Sequence, residues 1–184
     1  MDVSKLSLNI EKVLGSSVTK IELLAHAKGC LLYAAGNLIV FYSPILDEQI
    51  TYISHTSDTI SAIAVSPDEQ YLAVCDSGKL ATTSVYDIND LEAIKGRPDV
   101  KWVLRGHKKC IDHVVFSGDS RYLVTVSNQD GSMFTWEGAE AVTKNRNSKS
   151  ISKMLFDSKG DLITVGRGYI KLWPFKERAV IKKV

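Results

Sequence analysis

The sequence predicts an all-β chain of about four four-stranded propeller blades. Three observations point there: a repeat of about 40 residues, apolar runs too short for helices, and an aromatic residue toward the end of the third run of each repeat. Laid on itself, the chain brings four segments into register, starting at Ile21, Ile60, Ile111 and Ile151. They read Ile21-Glu22-Leu23, Ile60-Ser61-Ala62-Ile63-Ala64-Val65, Ile111-Asp112-His113-Val114-Val115-Phe116 and Ile151-Ser152-Lys153-Met154-Leu155-Phe156. A period near 40 belongs to propeller blades or to HEAT-type helical repeats, so the local pattern decides.

Each segment runs into a turn, at Ala27-Lys28-Gly29, Pro67-Asp68-Glu69, Gly118-Asp119-Ser120 and Ser158-Lys159-Gly160. A second run follows: Leu31 to Ala34, Tyr71 to Val74, Tyr122 to Val126 and Leu162 to Val165. These are rich in β-branched and aromatic residues and are read as strands. A third strand ends on an aromatic side chain at Leu38 to Tyr42, Thr83 to Asp87, Met133 to Glu137 and Ile170 to Trp173. Fourth strands are expected at Gln49 to Ile53, Lys101 to Leu104, Ala141 to Lys144 and Ala179 to Lys182. Four antiparallel strands per repeat make a blade, and the blades are placed at about 17–54, 55–107, 108–148 and 149–184, after an N-terminal segment 1–16. The second repeat is longer than the others, and its extra residues are assigned to Ile88 to Val100. That polar, turn-rich stretch is expected to be a solvated loop whose deletion leaves folding nearly unchanged.

Composition is ordinary for a globular chain, with 45% hydrophobic and 24% charged residues over 184 positions. Lysine plus arginine at 23 against aspartate plus glutamate at 21 leaves +2, which disfavours a dedicated nucleic-acid binder. Cys30, Cys75 and Cys110 are odd in number, lack C-x-x-C spacing and lie in apolar runs, so they are read as reduced core thiols of a cytoplasmic protein. The start Met1 to Lys5 lacks a secretory pattern. Leu23 to Tyr42 is interrupted at Lys28-Gly29 and Gly36-Asn37, and is read as two short buried strands, not a membrane span.

Gly106-His107 before the third repeat and Trp136-Glu137 at the end of its third strand carry a resemblance to the WD-repeat family. In that family a histidine, a turn aspartate, a strand hydroxyl and the tryptophan form a buried hydrogen-bonded network. The matching positions are His107, Asp130, Thr125 or Ser127, and Trp136. Such groups are costly to bury alone and satisfy one another together; losing Trp136 or Asp130 is expected to cost roughly 1 to 3 kcal/mol. The second repeat departs from the pattern with Ser54-His55 and Tyr86-Asp87, and the first and fourth lack Gly-His. Glu11 to Gly15 and Gly166 to Trp173 also resemble the echinoderm microtubule-associated protein-like proteins and related ciliary and centrosomal scaffolds. By the same resemblance, Ile10 to Leu14 is expected to be a ring-closing outer strand lying apart from the first blade.

A hydrolase triad among His26, His55, His107 and His113 finds no support, because G-x-S-x-G, P-loop, H-E-x-x-H and dinucleotide patterns are missing from the sequence. His113 is expected to make a polar or blade-to-blade contact. No cofactor, metal or catalytic residue is expected.

Four blades leave two blade faces open, so further blades or another copy of the chain are expected to complete a larger propeller. Loops that enter the blades, with those between second and third strands, gather Lys79, Lys108, Lys109, Lys144, Arg146, Lys149 and Arg167 at one end. The other end gathers acids, among them Asp47, Glu48, Asp68, Glu69, Asp90 and Glu92. The expected function is a non-enzymatic, protein-binding scaffold of microtubule, cilium or centriole. Its expected contact residues are Lys108, Lys109, Lys144, Arg146, Lys149 and Arg167, and acidic tubulin tails suit them. A signalling adaptor that recognises a short or phosphorylated peptide is the alternative.

Overall fold

The computed structural model describes Val13, Gly15, Ser16 and residues 21–55, 59–94 and 99–175. Blade 1 contains β1 (Leu24–Ala27), β2 (Cys30–Ala35), β3 (Leu38–Ser43) and β4 (Glu48–Ser54). Blade 2 contains β5 (Ile60–Val65), β6 (Tyr71–Asp76), β7 (Thr82–Asp87) and β8 (Val100–Arg105). Blade 3 contains β9 (His113–Phe116), β10 (Tyr122–Ser127), β11 (Ser132–Glu137) and β12 (Glu140–Arg146). Blade 4 contributes β13 (Ile151–Phe156), β14 (Leu162–Gly166) and β15 (Tyr169–Trp173). The fourth strand expected at Ala179 to Lys182 lies outside the described residues.

Every sheet is an antiparallel meander, and the first strands β1, β5, β9 and β13 are neighbours in sequence order. Two first strands differ from expectation. Ile21–Leu23 forms a 3-10 turn before β1. Ile111 stays outside β9, because its N–H is directed to the Asp76 carbonyl of the preceding blade at 3.4 Å. In blades 1 to 3 the pairing of third and fourth strands shifts register at Phe41/Tyr42, Val85/Tyr86 and Thr135/Trp136. Such a bulge bends a strand and adds twist, and here it falls at the closing aromatic each time.

The core lies between blades. Leu32, Ile39, Phe41 and Ile53 of blade 1 meet Ile63, Leu72, Val74 and Tyr86 of blade 2. Ala73, Val85 and Leu104 meet Phe116, Leu123, Phe134 and Trp136 of blade 3. Val124, Val126 and Met133 then meet Met154, Leu162 and Trp173 of blade 4. Burying aliphatic and aromatic side chains of this size stabilises by about 1.5–3 kcal/mol each. On the sides turned away from these seams, Leu24 and Ile50 of blade 1 and Leu155, Ile170 and Leu172 of blade 4 stay exposed.

Where it is described, the stretch between β7 and β8 is not the solvated loop expected. Ile88 and Ile94 are buried in the seam between blades 1 and 2, with Leu91 packed beside them, and the Thr51 hydroxyl donates to the Ile94 carbonyl. Asp90 caps the turn between these anchors by accepting the N–H groups of Glu92 and Ala93 at 2.9 and 3.1 Å. Deletion would therefore open the core. Of the N-terminal segment, Val13 is tied to blade 1, its N–H donating to Gln49 Oε1 at 2.9 Å and its carbonyl accepting from Gln49 Nε2 at 2.5 Å. The rest of Ile10 to Leu14 lies outside the described residues. Cys30 and Cys75 are buried thiols outside any disulfide, and burial pushes the Cys30 thiol up. Cys110 is half-buried in the turn before β9, not in an apolar strand.

Candidate protein-interaction face

The histidine network of blade 3 sits immediately beneath the loop face and fixes the turns that compose it. Trp136 Nε1–H donates to Thr125 Oγ1 at 2.9 Å, and Thr125 Oγ1 lies 2.8 Å from His107 Nε2. On the other side of the ring, His107 Nδ1 is 2.8 Å from Ser132 Oγ, which in turn bonds Asp130 Oδ1. A carboxylate only accepts, so Ser132 gives its proton to Asp130 and must accept from His107 Nδ1–H. His107 Nε2 is then an acceptor for the Thr125 hydroxyl. Every donor points the same way, from tryptophan to aspartate through a neutral imidazole.

Burial pushes the His107 pKa down to about 4. Burial would lift Asp130, but hydrogen bonds from Ser132 and the Lys108 N–H hold it below the usual carboxylate range. Asp130 therefore reaches His107 through Ser132, the direct separation being 3.9 Å. Ser132 went unnoticed in the sequence because a serine opening a strand carries no special signal. Gly106 permits the close approach: a Cβ there would lie 2.9 Å from the Phe134 ring, which packs edge-on against His107 and stacks on Trp136.

Blade 2 has its own version, not a weakened motif. His55 Nε2 lies 2.6 Å from Asp76 Oδ1 and its Nδ1 lies 2.8 Å from the Tyr86 hydroxyl. The carboxylate fixes Nε2 as the donor, so Tyr86 donates to Nδ1. Burial, opposed by a hydrogen bond with Ser84 and helped by the Asp76 charge, pushes Tyr86 up to about 12. Blade 4 uses the minimum, Trp173 Nε1–H donating to Thr164 Oγ1 at 2.9 Å.

His113 connects elements across the axis. Its Nε2 donates to the Ile151 carbonyl at 2.8 Å, and its Nδ1 is 3.4 Å from Glu22. Asn128 holds the same residue from the neighbouring turn, accepting the Ile151 N–H at 2.8 Å and donating to its carbonyl at 2.9 Å.

Above these networks the turns are stitched together. The Lys108 N–H donates to Asp130 at 2.7 Å, the Leu80 N–H points to the Lys108 carbonyl at 3.4 Å, and the Asn147 N–H donates to the Gly131 carbonyl at 2.8 Å. On these turns Lys79, Lys108, Lys109, Lys149 and Arg167 are exposed, and Lys144 and Arg146, expected in a loop, are exposed within the last residues of β12 because they pair with Phe134 and Ser132 of β11. Lys144 Nζ lies 5.0 Å over the Phe134 ring and Lys149 Nζ 5.2 Å over Tyr169. The described acids of this end are turned inward: Asp76 to His55 and Thr82, Asp112 to the Asn128 N–H, and Asp130 to Ser132.

The opposite end carries the acids but is more mixed than its loops suggest. Arg121 pairs with Glu137 at 2.7 Å and Lys101 with Asp87 at 3.5 Å, and Lys28 and Lys159 are exposed there as well.

Blades packed face to face, with their chemistry spent internally and their turns gathered at two ends, define a repeat propeller that presents loops. Two repeats, residues 47–85 and 99–137, match the family model for the WD domain, G-beta repeat, so the chain carries WD repeats. It is 28% identical to mouse cilia- and flagella-associated protein 44 over 150 residues, which cover 78% of this chain and 8% of that protein. It is 34% identical to mouse mitogen-activated protein kinase-binding protein 1 over 83 residues, 44% of this chain and 6% of that protein. The chain thus spans less than a tenth of either relative. A chain in the crystal structure of the mitotic checkpoint complex superposes with a TM-score of 0.69 at 14% identity, covering 83% of this chain and 49% of that one. That likeness is one of fold.

Proposed function

We propose that this chain is a non-enzymatic interaction scaffold whose basic loop face docks an acidic segment of a protein partner. The carrying observation is the set of exposed lysines and arginines at one end, whose described acids are drawn into internal hydrogen bonds. Potentials add for charges within a Debye length, about 8 Å at physiological salt, and the turns that carry Lys79 and Lys108 meet through the Leu80 N–H and the Lys108 carbonyl at 3.4 Å. Both ring nitrogens of His55 and of His107 are engaged by structural partners, which leaves them no free position for proton transfer. The likeness to a cilia- and flagella-associated protein supports a ciliary setting, where the acidic tails of tubulin have the required charge. The likeness to a kinase-binding protein supports a second reading, an adaptor for phosphorylated peptides. In both readings the open sides of blades 1 and 4 are covered by further blades or a second copy.

The test reverses Lys108, Lys109, Lys144 and Arg146 to glutamate and measures cosedimentation with polymerised tubulin across a salt series. A control reverses Glu92, Asp99 and Glu140 at the other end and spares the turn-capping Asp90. Loss of salt-sensitive binding in the first variant alone is expected. Equal effects in both variants, or salt-independent binding, would sink the proposal, and selective capture of phosphopeptides would move it to the second reading.

A further inference from the structure

The turn between second and third strands places a residue at positive φ in every blade. In blades 1, 3 and 4 that residue is a glycine: Gly36 at 67°, Gly131 at 67° and Gly168 at 76°. In blade 2 it is Leu80, at 57°. Glycine takes this conformation freely, whereas a side chain with a Cβ is disfavoured there. Among the described residues, the other non-glycine positions at positive φ are Lys28, Asp47, Glu69 and Ser120, so Leu80 is the apolar exception.

The strain secures no burial, because Leu80 is 72% exposed. The mount is nevertheless firm. Next to it, Ala81 is 2% exposed and packs with Ala62, Cys75 and Ile111, and the Leu80 N–H faces the Lys108 carbonyl. Lys79 precedes it in the turn, and the Lys108-Lys109 turn lies alongside. An apolar side chain held up on a stiff base within a basic rim has the layout of an interface anchor, in which a few residues supply most of the affinity and rim charges steer.

Resting on the basic-face reading above, we propose that Leu80 is the apolar anchor of that face, and that its partner is an acidic segment carrying an aliphatic residue that covers Leu80. Charge complementarity selects the acidic segment, and Leu80 selects where along that segment the face binds. Retaining leucine at a position where three sister turns use glycine is then a cost in folding retained for recognition.

Fluorescence anisotropy on the full chain tests this with two labelled synthetic peptides: five glutamates, one leucine and five glutamates, and the same peptide with serine for leucine. The leucine peptide is expected to bind about tenfold tighter, a difference of 1.4 kcal/mol. Leu80→Gly is expected to erase that preference, keep salt-sensitive binding of both peptides and leave the thermal midpoint undiminished, since glycine accepts the φ without strain. Equal affinity of the two peptides for the unaltered chain, or a preference that survives Leu80→Gly, overturns the anchor while the basic-face reading stands. Binding of neither peptide at low salt overturns both.

Discussion

Trp136 and Tyr42 hold the same place in their hairpins, the bulged position of a third strand opposite a leucine of the second, Leu123 and Leu31 respectively. Their surroundings differ completely. Trp136 is enclosed by blade 2, and its N–H is satisfied by a relay through Thr125, His107, Ser132 and Asp130. Tyr42 faces the open side of blade 1, and its hydroxyl bonds the exposed Asp47, which raises its pKa. The histidine network is therefore a response to enclosure. Where a preceding blade removes water from the aromatic's polar atom, the chain must supply partners from within.

The contrast is broken most strongly at Thr125, which serves both Trp136 and His107. Thr125→Val leaves two buried groups unmatched and is expected to cost about 4 kcal/mol, at about 2 for each, read as a shift in the urea midpoint. Acid gives the next effect. His107 titrates at about 4 when folded and near 6.5 when unfolded, so the unfolded chain gains protons first as pH falls. The stability it contributes is complete above about pH 6.5 and declines toward pH 4 by up to about 3 kcal/mol. Urea midpoints between pH 7 and 4 should follow that curve, and His107→Asn should flatten it. The smallest effect sharpens the comparison itself: Trp136→Phe is expected to cost about 2 kcal/mol, while Tyr42→Phe leaves the thermal midpoint within error. Matching losses at the two sites would show that enclosure is not what matters.

The repeat was legible because each blade restates one physical pattern, a short apolar run, a turn and a run ending on an aromatic. Strands β2, β3 and β6 fell within a residue or two of their expected limits for that reason. Edges between blades were harder to read. Ile111 looks like strand sequence, yet its backbone is spent on the neighbouring blade. Ile88 and Ile94 were hidden among polar residues, since isolated apolar positions in a turn-rich stretch have no periodicity to reveal which side is buried. His55 looked like a lost motif because its aspartate, Asp76, ends the second strand and does not lie in the following turn. Loop alternation suggested a basic end but missed that Lys144 and Arg146 belong to β12, and the inward engagement of Asp76, Asp112 and Asp130 required side-chain geometry.

The clasp of Asn128 on Ile151 turns one amide into a clock. The Ile151 N–H is held by a side chain from another blade, so its hydrogen is free to exchange with solvent only when that clasp lets go. Amides in the middle of β10 and β11 exchange when blade 3 itself unfolds. Ile151 reports the slipping apart of two intact blades. The ratio of the two exchange rates would measure how often the seam opens without the fold being lost, a motion that neither a melting curve nor a binding isotherm would register.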